Sequence, residues 1–204
     1  AAIIATQPYP PVIFDFGGGN GIGYFNLQLQ RSLVKEWHVF DRIIDSSRTG
    51  QEQIDRTGQE QIDTEIIEFH DSELFFEKEL PYNIPSPDII YSNTTLQYID
   101  CLDDFASALR ILQPNIVILS RFLATSNGVP SLSVPQYRIG DCWRACTFHS
   151  VEALEETLSP DFQLVQNSPI AAEDFFQSVE KGFPTSSIRR YSRFLVFRNT
   201  TRSS

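Results

Sequence analysis

A run of glycines directly after a short apolar segment constrains the fold of this chain more than any other feature. The segment Val12–Phe16 has the length of a buried strand, and glycine occupies positions 17, 18, 19, 21 and 23. Apolar side chains then recur at helical spacing, at Ile22, Phe25, Leu29 and Leu33. Glycines at such a junction let the backbone turn sharply, and the helix behind them offers free N–H groups. The pattern predicts a strand, a turn and a helix that form a nucleotide-class binding loop.

Strand-like apolar runs alternate with helix-like segments over the first two-thirds of the chain. Predicted strands cover residues 12–16, 38–41, 66–70, 88–93 and 115–122, with two more at 162–166 and 191–199. A helix that ends at Pro114 is predicted from the stripe of Leu102, Phe105, Leu109 and Leu112. We therefore expect an α/β, Rossmann-like fold, with a mostly parallel twisted sheet, helices on both faces and a C-terminal antiparallel hairpin.

The length of 204 residues predicts a single domain over residues 1–204. Residues 124–150 hold prolines and glycines with little periodicity, so a lid-like loop is expected there. A second irregular insertion is expected over residues 168–189. An eight-residue segment occurs twice in tandem over residues 48–63, which predicts a surface connection. Because methionine is absent even at position 1, we expect a processed, trimmed or incompletely represented chain.

The charge balance limits the classes of partner. The chain carries 26 acidic and 16 basic side chains, for a formal net charge of −10. This excess disfavours nucleic acids and anionic membranes, whose phosphates are bound by lysine and arginine. The longest apolar runs are far shorter than the ~20 residues of a membrane span, and no basic segment of a secretory signal is present. We expect a cytoplasmic protein, and the pattern leaves its oligomeric state open.

The cysteines predict neither disulfides nor a metal site. Cys101, Cys142 and Cys146 are odd in number and without secretory context, so we expect reduced thiols. Cys142, Cys146 and His149 are closely spaced, but zinc needs about four ligands and the fourth is missing. The sequence therefore predicts no metal.

The spacing of the glycines separates the nucleotide classes. The dinucleotide fingerprint needs glycines at relative positions 1, 3 and 6, and every register fails at position 6, which holds Ile22, Tyr24 or Asn26. The P-loop also fails, because no Gly-Lys-Ser or Gly-Lys-Thr follows. A nicotinamide-dependent reductase or epimerase is therefore disfavoured and remains only as an alternative.

An acidic residue at the strand end followed by alternating glycines does match a known pattern. The motif reads Asp15-x-Gly17-x-Gly19-x-Gly21, with Gly18 inside it. Here the chain resembles the class I S-adenosylmethionine-dependent methyltransferases. An acid before the glycines suits a ligand with an ammonium and a sulfonium, and it would repel a pyrophosphate. The resemblance implies S-adenosyl-L-methionine as the cofactor.

Further polar residues follow the predicted strands, at the edge where an open parallel sheet binds its ligand. Asp41 lies about 20 residues past the glycines, the position from which a carboxylate accepts hydrogen bonds from ribose hydroxyls. The resemblance implies that Asp71, with Ser72, contacts the adenine amino group, and that Ser92 also lines the cofactor site. The alternative for Asp71 is an ordinary solvated aspartate.

The resemblance extends beyond the glycine motif. Residues 14–23, 87–93, 96–98 and 118–121, with Gln136 ahead of Trp143, are similar to a poorly characterised bacterial group of methyltransferases. Genes of that group often lie near surface-polysaccharide genes, which implies a sugar-like or otherwise polar acceptor. Gln97 and Gln136 are expected to contact that acceptor.

The expected reaction is methyl transfer to an oxygen or nitrogen of a small polar metabolite. Asn93 would lie near the methyl group, and His149 is the candidate base, unless it only caps the next helix. Arg121 and Arg138 suggest an anionic acceptor, although pairing with surface acids explains them equally well. A second alternative is a non-catalytic cofactor-binding module that acts through a partner.

Overall fold

The computed structural model describes residues 2–19, 24, 33–41, 66–99, 101–125, 127–138, 142–170 and 192–202. Most of the predicted helix after the glycines, Gly21, the tandem repeat and most of the second insertion lie outside these ranges.

The described residues form nine strands and three helices. The strands are β1 (Val12–Phe16), β2 (Glu36–Phe40), β3 (Ile67–His70), β4 (Ile89–Asn93), β5 (Ile116–Phe122), β6 (Leu132–Arg138), β7 (Cys142–Phe148), β8 (Phe162–Ile170) and β9 (Ser192–Asn199). The helices are α1 (Ala2–Ala5), α2 (Leu102–Leu112) and α3 (Val151–Leu158), and 3₁₀ turns cover Ser72–Phe76 and Leu96–Tyr98.

The main sheet has the strand order β3-β2-β1-β4-β5-β9-β8. Strands β1 to β4 run parallel, whereas β9 runs antiparallel to β5 and to β8. This confirms the expected α/β class, with a mostly parallel sheet and a C-terminal antiparallel pair. None of the helices in the described part of the chain is long and apolar enough to cross a membrane.

The chain groups into two compact units, Ala1–Ser92 with Ala108–Asn115, and Asn93–Ser107 with Ile116–Ser204. In the first unit, all five residues of β1 are buried. They lie between β2 and β4, with Phe14 paired to His38 and to Ile90. Because successive side chains point to opposite faces of the sheet, burial of all five residues means that β1 is covered on both faces, which explains its mostly apolar sequence. The expectation of a single domain stays a prediction.

The second unit contains the largest departure from the sequence analysis. The expected irregular loop over residues 124–150 is wrong, because β6 and β7 form an antiparallel hairpin inside it. Pro135, which suggested a loop, pairs with Ala145 within this hairpin. In a two-stranded ribbon both strands are edges, and an edge strand tolerates a residue without an N–H donor. The lid role of the segment remains a prediction.

Strand boundaries differ slightly from those expected. Strand β2 begins at Glu36 instead of residue 38, and β8 continues to Ile170 instead of ending at residue 166. The register between β8 and β9 shifts between Leu164 and Gln166, which marks a bulge. Strand β8 is long, mostly exposed and at the edge of the sheet. Its exposed polar side chains interrupt the apolar pattern from which a strand is predicted.

We expect Leu109→Ala to lower the free energy of unfolding by about 2–5 kcal/mol, because it opens a cavity among buried side chains. Leu109 on α2 is 0 % exposed, whereas Ile111 on the same helix is 43 % exposed. Ile111→Ala is the matched control, and its effect should stay within about 0.5 kcal/mol. Urea unfolding of both variants checks this, and equal losses would contradict the assigned helix face.

Candidate active site

The glycine turn begins where β1 ends. Gly17 and Gly19 have φ angles of 73° and 59°, in the left-handed region that glycine enters without steric cost. The N–H of Gly17 donates to the carbonyl of Phe40 at 2.7 Å, so the turn is tied to the end of β2. Among the described residues, nothing lies within 4 Å of where a Cβ on Gly19 would be. A ligand can therefore approach Gly19 without meeting another of the described residues.

The carboxyl group of Asp15 lies directly beneath this turn. A Cβ on Gly18 would approach the Asp15 Cγ and Oδ2 to 2.6 Å, so a larger residue there would force the Asp15 carboxyl to shift. Asp15 is 0 % exposed, and its Oδ2 accepts a hydrogen bond from Trp37 Nε1 at 3.2 Å. Its Oδ1 has no hydrogen-bond partner among the described residues.

Burial raises the pKa of Asp15 to about 7, and the negative charge of Asp41 adds to this rise. The hydrogen bond from Trp37 opposes it. The Asp15 carboxyl is thus a buried group whose ionised form is disfavoured, and groups of this kind concentrate at functional sites.

Asp41 holds the other side of the glycine turn. Its Oδ2 accepts a hydrogen bond from the N–H of Gly19 at 2.8 Å. Its own N–H donates to the carbonyl of His70 at 3.2 Å, which ties it to the end of β3. The structure thus brings the acid that follows β2 onto the glycine motif, as expected for parallel strands whose carboxyl ends share one edge. The ribose contact of Asp41 stays a prediction.

Asp71 has a local structural role that the sequence analysis did not identify. Its Oδ1 accepts a hydrogen bond from the N–H of Glu73 at 2.9 Å, and Asp71 is thereby the N-cap of the turn Ser72–Phe76. Ser72 is buried, and Ser92 on β4 is buried with no partner for its hydroxyl among the described residues. The roles of these three residues toward a cofactor stay predictions.

In the second unit, the segment after β4 combines backbone strain with a buried amide. Thr94 has a φ of 62°, which is unusual for a β-branched residue, and its hydroxyl donates to Asn93 Oδ1 at 3.1 Å. Gln97 is 2 % exposed, and its Nε2 has no hydrogen-bond partner within the described ranges. Backbone strain of this kind clusters at functional sites, and a buried amide without a partner calls for an explanation. No sequence signal indicates the Thr94 backbone.

His149 is buried and supports this same segment. Its Nε2 lies 3.0 Å from the carbonyl oxygen of Leu96, and its ring stacks on Phe122. Because a carbonyl only accepts, Nε2 carries the proton and Nδ1 is the nitrogen that remains basic. Burial lowers the pKa of His149, against the effect of this hydrogen bond. His149 is not the cap of α3, because Ser150 Oγ accepts from the N–H of Ala153 at 3.2 Å.

The remaining candidates are placed only in part. Arg121 is exposed on β5 with a φ of 52°. Gln136 and Arg138 lie on β6, and their side chains are outside what the structure describes. Cys146 is buried, and burial raises the pKa of its thiol to about 12, which disfavours a thiolate nucleophile.

Comparison with known proteins identifies the fold. No family model matches the chain, and no curated protein matches its sequence. Among solved structures, this chain is similar to an S-adenosylmethionine-dependent methyltransferase from Mesorhizobium loti. The structural match covers 97 % of this chain and 95 % of the methyltransferase, with a TM-score of 0.55 and 14 % sequence identity. The chain has the methyltransferase fold.

Two further structures with this methyltransferase fold contain S-adenosylhomocysteine. One is the N-terminal domain of EvdMO1, crystallised with S-adenosylhomocysteine and D-fucose. The match covers 97 % of this chain and 80 % of the EvdMO1 chain, with a TM-score of 0.58 and 12 % identity. The other is the glycopeptide N-methyltransferase MtfA in complex with S-adenosylhomocysteine, where the match covers 95 % of this chain and 84 % of the MtfA chain, with a TM-score of 0.55 and 10 % identity. At these identities the likeness shows the fold alone.

We expect Asp15→Asn to flatten the pH dependence of stability. The pKa of Asp15 rises from 3.8 to about 7 on folding, so the folded protein binds more protons across this interval. The free energy of unfolding therefore falls as the pH rises from about 4 to about 7, by at most ~4 kcal/mol from this group. Urea unfolding at several pH values measures the slope. The exposed Glu77→Gln is the control, and a slope that Asp15→Asn leaves unchanged would contradict the assignment.

Proposed function

We propose that the chain binds S-adenosylmethionine at the glycine turn and transfers its methyl group to a small polar acceptor. The observation that carries this proposal is the clamped turn, in which Gly18 packs on Asp15 and Gly19 is bonded to Asp41. This turn follows the first strand of a fold shared with methyltransferases crystallised with S-adenosylhomocysteine. The failed dinucleotide spacing supports the same choice of cofactor.

The described residues fit a cofactor with an ammonium, a sulfonium and a ribose. The open space at Gly19 allows a ligand to approach closely, and the Asp41 carboxylate bonded to Gly19 favours positive charge over a phosphate. A carboxylate has about four acceptor positions, so Asp41 can hold the N–H of Gly19 and ribose hydroxyls together. Asp71 and Ser72 would hold the adenine end.

S-Adenosylmethionine, when bound, supplies an electrophilic methyl group on its sulfonium. The protein must then align the acceptor with that methyl group and exclude water. In this proposal Asn93 and the buried Gln97 amide position the acceptor. The left-handed backbone conformation of Thr94 sets the turn between these two residues. For a hydroxyl acceptor, His149 Nδ1 would take the proton, while its Nε2 holds the Leu96 carbonyl.

The acceptor is proposed to be sugar-like or anionic. The net charge of −10 disfavours RNA, and arginine provides 13 of the 16 basic residues. The planar guanidinium suits carboxylate and phosphate groups, which makes Arg121, with Gln136 and Arg138, the proposed acceptor contacts. EvdMO1 was crystallised with D-fucose and MtfA is a glycopeptide methyltransferase, so this fold is compatible with sugar-bearing acceptors.

We expect S-adenosylhomocysteine to bind, and Asp41→Asn to weaken its affinity by about 10- to 100-fold, because hydrogen bonds to a charged group contribute about 1.5–3 kcal/mol. Isothermal titration calorimetry measures both affinities. Asp103→Asn on the exposed face of α2 is the matched control and should change nothing. No heat at millimolar ligand would contradict the cofactor assignment, and enhanced NADH fluorescence on mixing would favour the nicotinamide alternative.

We expect methyl-labelled cofactor to transfer its label to the small-molecule fraction of a cell lysate. Mass spectrometry of that fraction identifies the product, and Arg121→Gln should reduce its yield without changing S-adenosylhomocysteine affinity. Arg110→Gln on α2 is the matched control. Label in the RNA or protein fraction would contradict the acceptor class. Tight cofactor binding without any labelled product would favour the non-catalytic module.

A further inference from the structure

Two histidines and two glutamates lie together on one face of strands β2 and β3. The strands pair in parallel, with His38 opposite Glu68 and Phe40 opposite His70. Because side chains alternate along a strand, Glu36, His38 and Phe40 share a face with Glu68 and His70. His38 is 1 % exposed, whereas the side chain of Glu68 is 56 % exposed. The cluster thus joins a buried imidazole to a solvent-accessible carboxylate.

The three inward atoms of this cluster form a triangle of the size that a metal ion requires. His38 Nδ1 lies 2.9 Å from His70 Nε2 and 3.6 Å from Glu68 Oε2, and His70 Nε2 lies 3.8 Å from the same oxygen. Three points with these separations lie on a circle with a radius of about 2.0 Å. Zinc binds histidine nitrogen and carboxylate oxygen at about 2.0–2.2 Å.

A second carboxylate orients the buried histidine toward that centre. His38 Nε2 lies 3.2 Å from Glu36 Oε2, on the side of the ring away from His70. An ionised carboxylate only accepts, so Nε2 carries the proton and the lone pair of Nδ1 faces the triangle. Metal-binding histidines nearly always donate their second N–H to such a partner.

The second histidine is also held in place. The ring of His70 stacks on Phe40 with centroids 4.9 Å apart, and His38 contacts Phe14 edge-on at 5.3 Å.

We propose that His38 Nδ1, His70 Nε2 and Glu68 Oε2 bind a divalent transition-metal ion of the zinc class, with water as the fourth ligand. Two imidazoles and one carboxylate suit zinc and its neighbours in the series, whereas magnesium and calcium prefer oxygen ligands. The ion takes the place of the hydrogen bond between the two rings, and the proton of His70 moves from Nε2 to Nδ1 so that Nε2 can bind the ion.

The ion would join the edge strand β3 to β2 just before the segments that contain Asp41 and Asp71. Strand β3 has only four residues, and β2 is its neighbour in the sheet. A ligand that binds only the folded state raises its stability in proportion to the logarithm of its concentration over its dissociation constant. The bound ion would therefore stabilise the pairing of β2 and β3 at the sheet edge. This role does not depend on the proposed methyl transfer.

Zinc titration of the tag-free protein against a chromophoric chelator tests this proposal. We expect one Zn²⁺ per chain and a higher melting temperature with zinc. We expect a loss of zinc affinity of more than 10-fold from Glu68→Gln and from His70→Gln, because each removes a ligand. Glu36→Gln should weaken the zinc affinity by about 10- to 100-fold, because Glu36 orients the His38 ring. Co²⁺ should give the visible absorption bands of a tetrahedral site that contains nitrogen and oxygen, without thiolate charge-transfer bands.

Two control variants separate this site from other sources of zinc binding. Glu73→Gln removes an exposed carboxylate on the turn directly after β3 and should leave the affinity unchanged. Cys142→Ser tests the Cys142, Cys146 and His149 set and should also have no effect. No zinc binding by the unmodified chain would overturn the proposal. Binding that survives both Glu68→Gln and His70→Gln, or that Cys142→Ser abolishes, would overturn it as well.

Discussion

The contact between the Asp15 carboxyl and the backbone of Gly18 is the constraint on which the candidate site depends. A Cβ at position 18 would lie 2.6 Å from the Asp15 Cγ and Oδ2, so a residue larger than glycine requires the buried carboxyl to shift. The indole of Trp37 on β2 supplies the hydrogen bond that makes this burial tolerable. The strand, the turn and the neighbouring strand are thus linked through one acidic side chain.

Strand pairing in the first unit determines where the polar groups lie. The carbonyl of Phe40 anchors Gly17, the carbonyl of His70 anchors Asp41, and Asp41 in turn holds Gly19. Each contact joins the end of one parallel strand to the end of its neighbour. The pairing register of the strands therefore determines which residues meet at the site. An added bond between β2 and β3, such as a metal ion at His38, Glu68 and His70, would act on the same register.

The sequence predicts what depends on local pattern and misses what depends on pairing. The apolar run of β1 and the glycine spacing are local, and the predicted bounds of β1 agree with the structure. The hairpin of β6 and β7 was not predicted because a proline such as Pro135 usually indicates a loop. Its place in a strand becomes evident only from its pairing with Ala145 on β7. The histidine cluster was missed because His38 and His70 are 32 residues apart and meet only through the register of β2 and β3.

The same distinction explains why the proposed cofactor is better supported than the acceptor. The glycine turn offers mainly backbone, and backbone geometry follows from the fold, which structures at 10–14 % identity still share. An acceptor is recognised by side chains, here the proposed contacts Gln97 and Arg121, and a fold does not specify those. The proposed acceptor contact of Gln97 therefore rests on the buried amide of this chain, which has no hydrogen-bond partner among the described residues, and not on the shared fold.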